Sequence, residues 1–269
     1  MSKLGIIAGS GKLPQNVAKA AQNQGCEVFV VALEGQTDEL WLSSFPHDWH
    51  KLGQVQKVFD SLKNNGVDEV ILIGAVKRPS IFQLGLDARA TKIVSKHGMD
   101  IFKGDDALLR VLMNELEGEG FKVRAANDFL DTTAPLGVLG QHQPDDLAQQ
   151  DIKRGVEILH SLAPHDVGQA VVVQQGMVLG IEAAEGTDGL LERVKKLKRD
   201  GAGGIAVKLF KTTQDKRVDM PTIGPGTVEK AHSAGLRGIA FSAGKTQLVD
   251  QEELIEKANK LGLFLVGIK

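Results

Sequence analysis

Three short stretches, KLGIIA (3–8), CEVFVVAL (26–33) and EVILIGAV (69–76), are nearly continuous apolar runs separated by segments of helical period. A strand that is apolar on both sides needs cover on both faces, which helices provide for a parallel sheet. Helices are expected over 14–24, where Pro14 suits a helix start, over 55–64, and over 105–117. In the last of these, Leu108, Leu109, Leu112, Met113 and Leu116 recur at helical spacing. FKVRAA (121–126) adds a short strand. Strands alternating with helices give βαβ units, so the fold class is α/β, beginning with a Rossmann-like open parallel sheet.

At 269 residues the chain suits two ordinary domains. The composition shifts at TTAPLGVLGQHQP, which has no clear period, and this predicts an N-terminal domain over 1–131, a linker over 132–144 and a C-terminal α/β domain over 145–269. The second domain reads as a helix over 145–162 and a hairpin over 170–183 turning at Gln175-Gly176. A basic helix over 188–199 and a strand over 204–210 come next. After a charged loop, a helix (227–234), a strand (238–241), a helix (250–261) and a terminal strand (263–268) close the chain.

A formal net charge of −2, 4% aromatics and no Tyr argue against nucleic acid. The single Cys26 excludes an intrachain disulfide and fits a reducing cytoplasm. No apolar run reaches the roughly 20 residues that span a bilayer, so membrane contact is expected to be peripheral. The histidines lack zinc spacing.

The glycine-rich turn IIAGSGKLP (6–14) places Gly9, Ser10 and Gly11 before a helix whose free N–H groups suit a phosphate. A tight turn with no ligand is the competing reading. The dinucleotide fingerprint fails at Pro14, and Glu34 is only loosely spaced as a ribose-binding acid. FSAGKT (241–246) has Ile239 where a P-loop needs glycine, so it reads as a turn. Lys77 and Arg78, in GAVKRPS, end the third strand, where an open α/β sheet binds ligands; solvated cations are the alternative. Asp105 and Asp106 open a helix, where capping competes with a substrate contact. In GIEAAEGTDGLLERV (180–194), Glu182 and Glu185 precede Gly186 and Thr187 at a helix start. Thr187 suits a cap, and the two acids suit a hydrated metal beside a phosphate. The densest signal is TTQDKRVDMPTIGPGTVEKA (212–231). Extended chain there would aim Asp215, Arg217 and Asp219 at one point, with Lys208 and Lys211 just upstream. Such acids hold magnesium or deprotonate water, and a guanidinium neutralises a phosphoryl oxygen. A charged surface turn is the plain alternative.

IAGSGKLP, GAVKRP, KGDDALLR, GIEAAEGTDGLL and QDKRVDMPTIGPGTV, in this order, resemble the LpxI-type UDP-2,3-diacylglucosamine pyrophosphatases of lipid A biosynthesis. The resemblance spans essentially the whole chain. It implies magnesium-dependent hydrolysis of UDP-2,3-diacylglucosamine to UMP and 2,3-diacylglucosamine 1-phosphate (lipid X), by two domains that close over the substrate. The family's essential aspartate matches Asp219; the residue chemistry read above adds Glu182 or Glu185 as helpers in holding the metal. The implied partners are a lipid-linked nucleotide sugar and, transiently, the cytoplasmic face of the inner membrane; oligomerisation stays open. An NAD-linked or nucleotide-sugar oxidoreductase and a non-catalytic acylated-sugar carrier are the alternatives.

Overall fold

The computed structural model describes residues 2–76, 84–98, 105–211, 217 and 220–269, with the backbone alone for 105–107. The chain forms two compact units, Met1–Asp131 with Asp215–Asp219, and Thr132–Gln214 with Met220–Lys269.

The first unit runs β1 (Lys3–Ala8), α1 (Leu13–Asn23), β2 (Glu27–Leu33), β3 (His47–His50), α2 (Val55–Asn64), β4 (Glu69–Ile73), α3 (Ala88–His97), α4 (Asp105–Gly118) and β5 (Lys122–Val123). Its strands form a parallel sheet in the order β3-β2-β1-β4-β5, as the Rossmann-like reading requires. Central β1 sets Ile6 between Val30 and Ile71, which explains the unbroken apolar runs. On one face, Phe29, Val31, Val70 and Leu72 pack against Phe59 and Leu62 of α2 and Met113 and Leu116 of α4. Strand β3, HDWH, was not expected. It lies at the sheet edge, where fewer neighbours cover it, so its sequence lacks the apolar signature.

Glu69 ties β4 to β5, accepting from Lys122 at 2.9 Å and Arg124 at 2.7 Å. Burial alone would raise its pKa, yet the Lys122 and Arg124 hydrogen bonds and charges outweigh burial and hold it below its ordinary value. A carboxyl lowered in the folded state contributes stability that is complete above its ordinary value, 4.5 here, and lost as pH falls through the lowered one. Glu69→Gln should therefore flatten the acid limb of stability against pH below about 4.5, read by thermal denaturation.

The second unit runs β6 (Gly137–Leu139), α5 (Asp146–Leu162), β7 (Ala170–Gln174), β8 (Met177–Ile181), α6 (Gly186–Val194), β9 (Gly204–Lys208), β10 (Thr222–Ile223), α7 (Pro225–Ser233), β11 (Leu236–Ser242), β12 (Gln247–Leu248), α8 (Gln251–Leu261) and β13 (Phe264–Ile268). The main sheet has the order β6-β13-β11-β9-β7-β8, and β10 pairs with β12 separately. Strands β9, β11 and β13 are parallel, while β6, β7 and β8 are antiparallel additions. Residues 132–144, expected as a linker, include β6. The three residues Gly137–Leu139 are too few to show a period, so pairing with β13 decides the conformation.

The two faces of this sheet are sorted by alternation. Val171, Val173, Ile205 and Val207 pack under α5 against Ala148, Ile152 and Leu159. Ala170, Val172, Ala206, Ile239 and Phe241 pack against Leu190, Leu191 and Val194 of α6, Val228 and Ala231 of α7, and Leu254 and Ala258 of α8. This sorting fixes which side chains meet at the sheet's carboxyl edge.

Candidate functional site at the carboxyl edge of the second sheet

Lys208 is the last residue of β9 and pairs with Ala170 on one side and Phe241 on the other. Glu182 follows β8 and donates its N–H to the Ala170 carbonyl at 2.8 Å. Residues directly opposite across neighbouring strands share a face. Glu182, Ala170 and Lys208 therefore form a row on the α6 and α7 side, each step about 5 Å between Cα atoms. The small Ala170 side chain leaves space between the acid and the cation.

Glu182 is only 6% exposed. One carboxylate oxygen accepts from the Gln169 N–H at 3.0 Å and the other from the Thr187 hydroxyl at 2.9 Å. An ionised carboxylate offers about four lone-pair sites, so both oxygens retain accepting capacity. Gly168 makes this corner feasible: its φ is +53°, and a Cβ there would lie 2.0 Å from the Glu182 carbonyl oxygen.

Thr187 does not cap α6, contrary to expectation. The capping position is Glu185, which makes no side-chain cap bond, and Thr187 sits in the first turn with its hydroxyl on Glu182. A buried carboxylate left short of donors costs more than an amide that water can reach, so the hydroxyl goes to the acid. Gly186, at φ +72°, turns the chain into the helix. Glu185 is paired with Arg193 at 2.6 Å, and that hydrogen bond is the main cause of its lowered pKa. It remains ionised, but binding a metal would require it to leave Arg193.

Lys208 is 8% exposed, and its Nζ donates to the Thr222 carbonyl at 3.1 Å. Thr222 opens β10, so this contact spans the two ends of the charged loop. Asp215 and Asp219 lie outside the described residues, as do Lys77, Arg78 and the side chains of Asp105 and Asp106. The backbone of Asp105 and Asp106 opens α4 as expected. Arg217, grouped with the first unit, donates to Glu117 of α4 at 2.6 Å. That pair is well exposed, and such pairs are worth about 0–1 kcal/mol, so a phosphoryl oxygen competes with Glu117 at little cost.

The glycine-rich turn after β1 is committed to its neighbour. Gly9 N–H donates to the Ile73 carbonyl at 2.8 Å. The Ser10 N–H and hydroxyl both donate to the Ala75 carbonyl, at 2.8 and 2.9 Å. A Cβ on Gly9 would come within 2.6 Å of the Ala75 oxygen, so the close approach that requires glycine is to backbone, where the sequence reading placed a ligand. Gly11 has φ +96° and serves the turn. These bonds join β1 and β4 at the point where strand order reverses, which is where a dinucleotide would enter such a sheet.

Sequence reasoning missed a cavity of about 480 Å³ in the second unit, lined by Leu159, Ala163, Pro164, Gly168, Leu209 and Phe210, with His160, Gln169 and Lys211 beside them. The volume falls within the roughly 300–1,000 Å³ typical of ligand pockets. Leu209 follows Lys208 directly, so the cavity opens on the opposite face of the same edge. At its rim Lys211 pairs with Asp166. No sequence signal marks it, because its lining comes from three separated segments of ordinary composition.

Among the described residues no group of three or more His, Cys, Asp or Glu side chains is placed to hold a metal. Magnesium needs less, since it typically takes one or two carboxylates and completes its shell with water and phosphate oxygens. Glu182, beside a helix start, fits such a set.

Residues 3–133 match the family described as LpxI N-terminal domain, and residues 135–266 match LpxI C-terminal domain. The chain belongs to the LpxI family. A family relative from Caulobacter vibrioides, named UDP-2,3-diacylglucosamine pyrophosphatase LpxI, is 38% identical over 275 aligned residues, covering 100% of this chain and 98% of that one. Among solved structures, a CobK precorrin-6A reductase aligns with 98% of this chain and 86% of that one at 14% identity and a TM-score of 0.32. A biotin carboxylase from Campylobacter jejuni covers 73% of this chain and 41% of that one, at 13% identity and a TM-score of 0.24. Scores this low bear on neither fold nor activity.

Proposed function

We propose that this member of the LpxI family hydrolyses the diphosphate of UDP-2,3-diacylglucosamine, giving UMP and 2,3-diacylglucosamine 1-phosphate. The observation that carries the reading is its full-length identity to a relative named for that activity. The edge chemistry supports it. Hydrolysis adds water to one phosphorus and breaks the bridging P–O bond, so the site must quiet the anionic diphosphate and accept a proton. Bound magnesium supplies charge neutralisation and an oriented water. Asp219 is its proposed principal ligand, with Glu182, and Glu185 once freed from Arg193, as further carboxylates. Asp219 is three residues from Thr222, so its Cα stays within about 11 Å of that residue's Cα in any conformation. Asp215 is assigned to the proton, and Arg217 to a phosphoryl oxygen after exchange with Glu117. At the start of α6, Thr187 offers its amide to phosphate, and Gly186 would do so on leaving the Ala183 carbonyl, now accepting at 3.2 Å.

The apolar cavity beside this edge suits an acyl chain of the substrate, because each buried methylene is worth about 0.8 kcal/mol. Among the described residues no helix is long and apolar enough to cross a membrane. A lipid-linked substrate is proposed to bring the protein transiently to the cytoplasmic face of the inner membrane.

The deciding experiment is incubation of purified protein with UDP-2,3-diacylglucosamine and magnesium, following UMP and lipid X. Lipid retained without UMP release would favour a carrier. Tight stoichiometric NAD binding, indifferent to magnesium, would favour an oxidoreductase, against which the committed amides of Gly9 and Ser10 already weigh. Ala163→Trp, which fills the cavity, should raise KM for the diacylated substrate about tenfold and affect a short-chain analogue less. Equal effects on both substrates would remove the acyl assignment.

A further inference from the structure

We infer that Lys208 is a positioning residue that joins the two limbs of the 209–221 excursion, and not the substrate contact its sequence context suggests. A buried ammonium must find its acceptors within the protein, because leaving one unpaired is costly. One acceptor here is a backbone carbonyl 14 residues further along the chain. The outgoing limb is tied to the main sheet, with Leu209 N–H on the Gln169 carbonyl at 2.9 Å and Phe210 N–H on the Ser242 hydroxyl at 3.0 Å. The return limb is tied elsewhere: Gln247 N–H donates to the Pro221 carbonyl at 2.8 Å and Val249 N–H to the Ile223 carbonyl at 2.9 Å. The Lys208 ammonium links one set of ties to the other.

The kinetic part of the test rests on the proposed hydrolase reading; the proteolytic part does not. Ligand-free wild-type, Lys208→Met and Lys208→Arg proteins are digested with trypsin, and cleavage after Lys211, Lys216 and Arg217 is timed. Loss of the link should speed cleavage in Lys208→Met about tenfold, with Lys208→Arg within about twofold of wild type. In the UMP-release assay kcat should fall about tenfold in Lys208→Met while KM moves less than about threefold. Unchanged cleavage with a tenfold rise in KM would make Lys208 a substrate contact and overturn the inference. Should Lys208→Met fail to fold, Lys208→Gln, which keeps a buried donor without the charge, replaces it with cleavage expected between the other two. If wild type releases no UMP, the hydrolase reading fails while the cleavage rates still decide the role of Lys208.

Discussion

Asp219→Ala should bind UDP-2,3-diacylglucosamine nearly as well as the unaltered protein yet release UMP about 10³-fold more slowly, a loss of roughly 4 kcal/mol in transition-state stabilisation. The asymmetry follows from when the negative charge appears. The diphosphate is already anionic in the ground state, and on the proposed acyl assignment apolar contacts carry much of its binding. The proposed magnesium site matters most as charge redistributes on the bridging and equatorial oxygens. Without Asp219 the proposed set keeps only Glu182 ready to bind, because Glu185 is paired with Arg193. Chelation with EDTA should reproduce the same loss in wild type and add little to the variant, and magnesium should restore only the wild type. Near-normal turnover in Asp219→Ala, measured as UMP released under saturating substrate, would sink the assignment.

What the sequence disclosed and what it hid divide along a physical line. The parallel core strands were legible because double-sided burial demands unbroken apolar runs, as at Val28 to Leu33 and Val70 to Ile73. The hairpin was legible because Gln175-Gly176 takes left-handed geometry at both positions, φ +52° and +75°. Two of the four edge strands of the larger sheets were not: β3 and β6 are short, partly exposed and defined by a neighbour, which no local pattern encodes. At the site, Glu182, Thr187 and Lys208 were singled out in separate stretches, and neither their common edge nor their bonding was legible. Thr187 looked like a cap, and only the burial of Glu182 beside it redirects the hydroxyl. Gly9 looked like a ligand cradle, and only the distant Gly74-Ala75 backbone reveals why it has no side chain. Partners contributed by remote segments are invisible to spacing.

The same limit conceals the residue whose loss should cost the most stability. Asp151 lies within α5, where its sequence context reads as a solvated helix face, yet it is 1% exposed. Its two oxygens accept from the Gly176 N–H at 2.6 Å and the Gln175 N–H at 2.9 Å, holding the β7–β8 turn against the helix. Next to it, the buried Gln174 amide donates to the carbonyls of Arg199 and Ala202 and accepts from the Arg199 N–H. The hairpin is thus clamped at the end opposite the edge that holds Glu182 and Lys208. Asp151→Ala would remove both bonds; the acid is buried but Gln175 and Gly176 lie on an exposed turn where water can meet the freed amides, so a loss of about 1–3 kcal/mol is expected. Asp151→Asn keeps one acceptor and should lose about half of that. Both tryptophans, Trp41 and Trp49, belong to the first unit, so urea unfolding of the second is followed by circular dichroism rather than by fluorescence. Because the clamp and the edge occupy opposite ends of β7 and β8, kcat of the folded fraction should stay at the wild-type value. A stability equal to wild type would mean that water replaces both bonds in full when the carboxylate is removed.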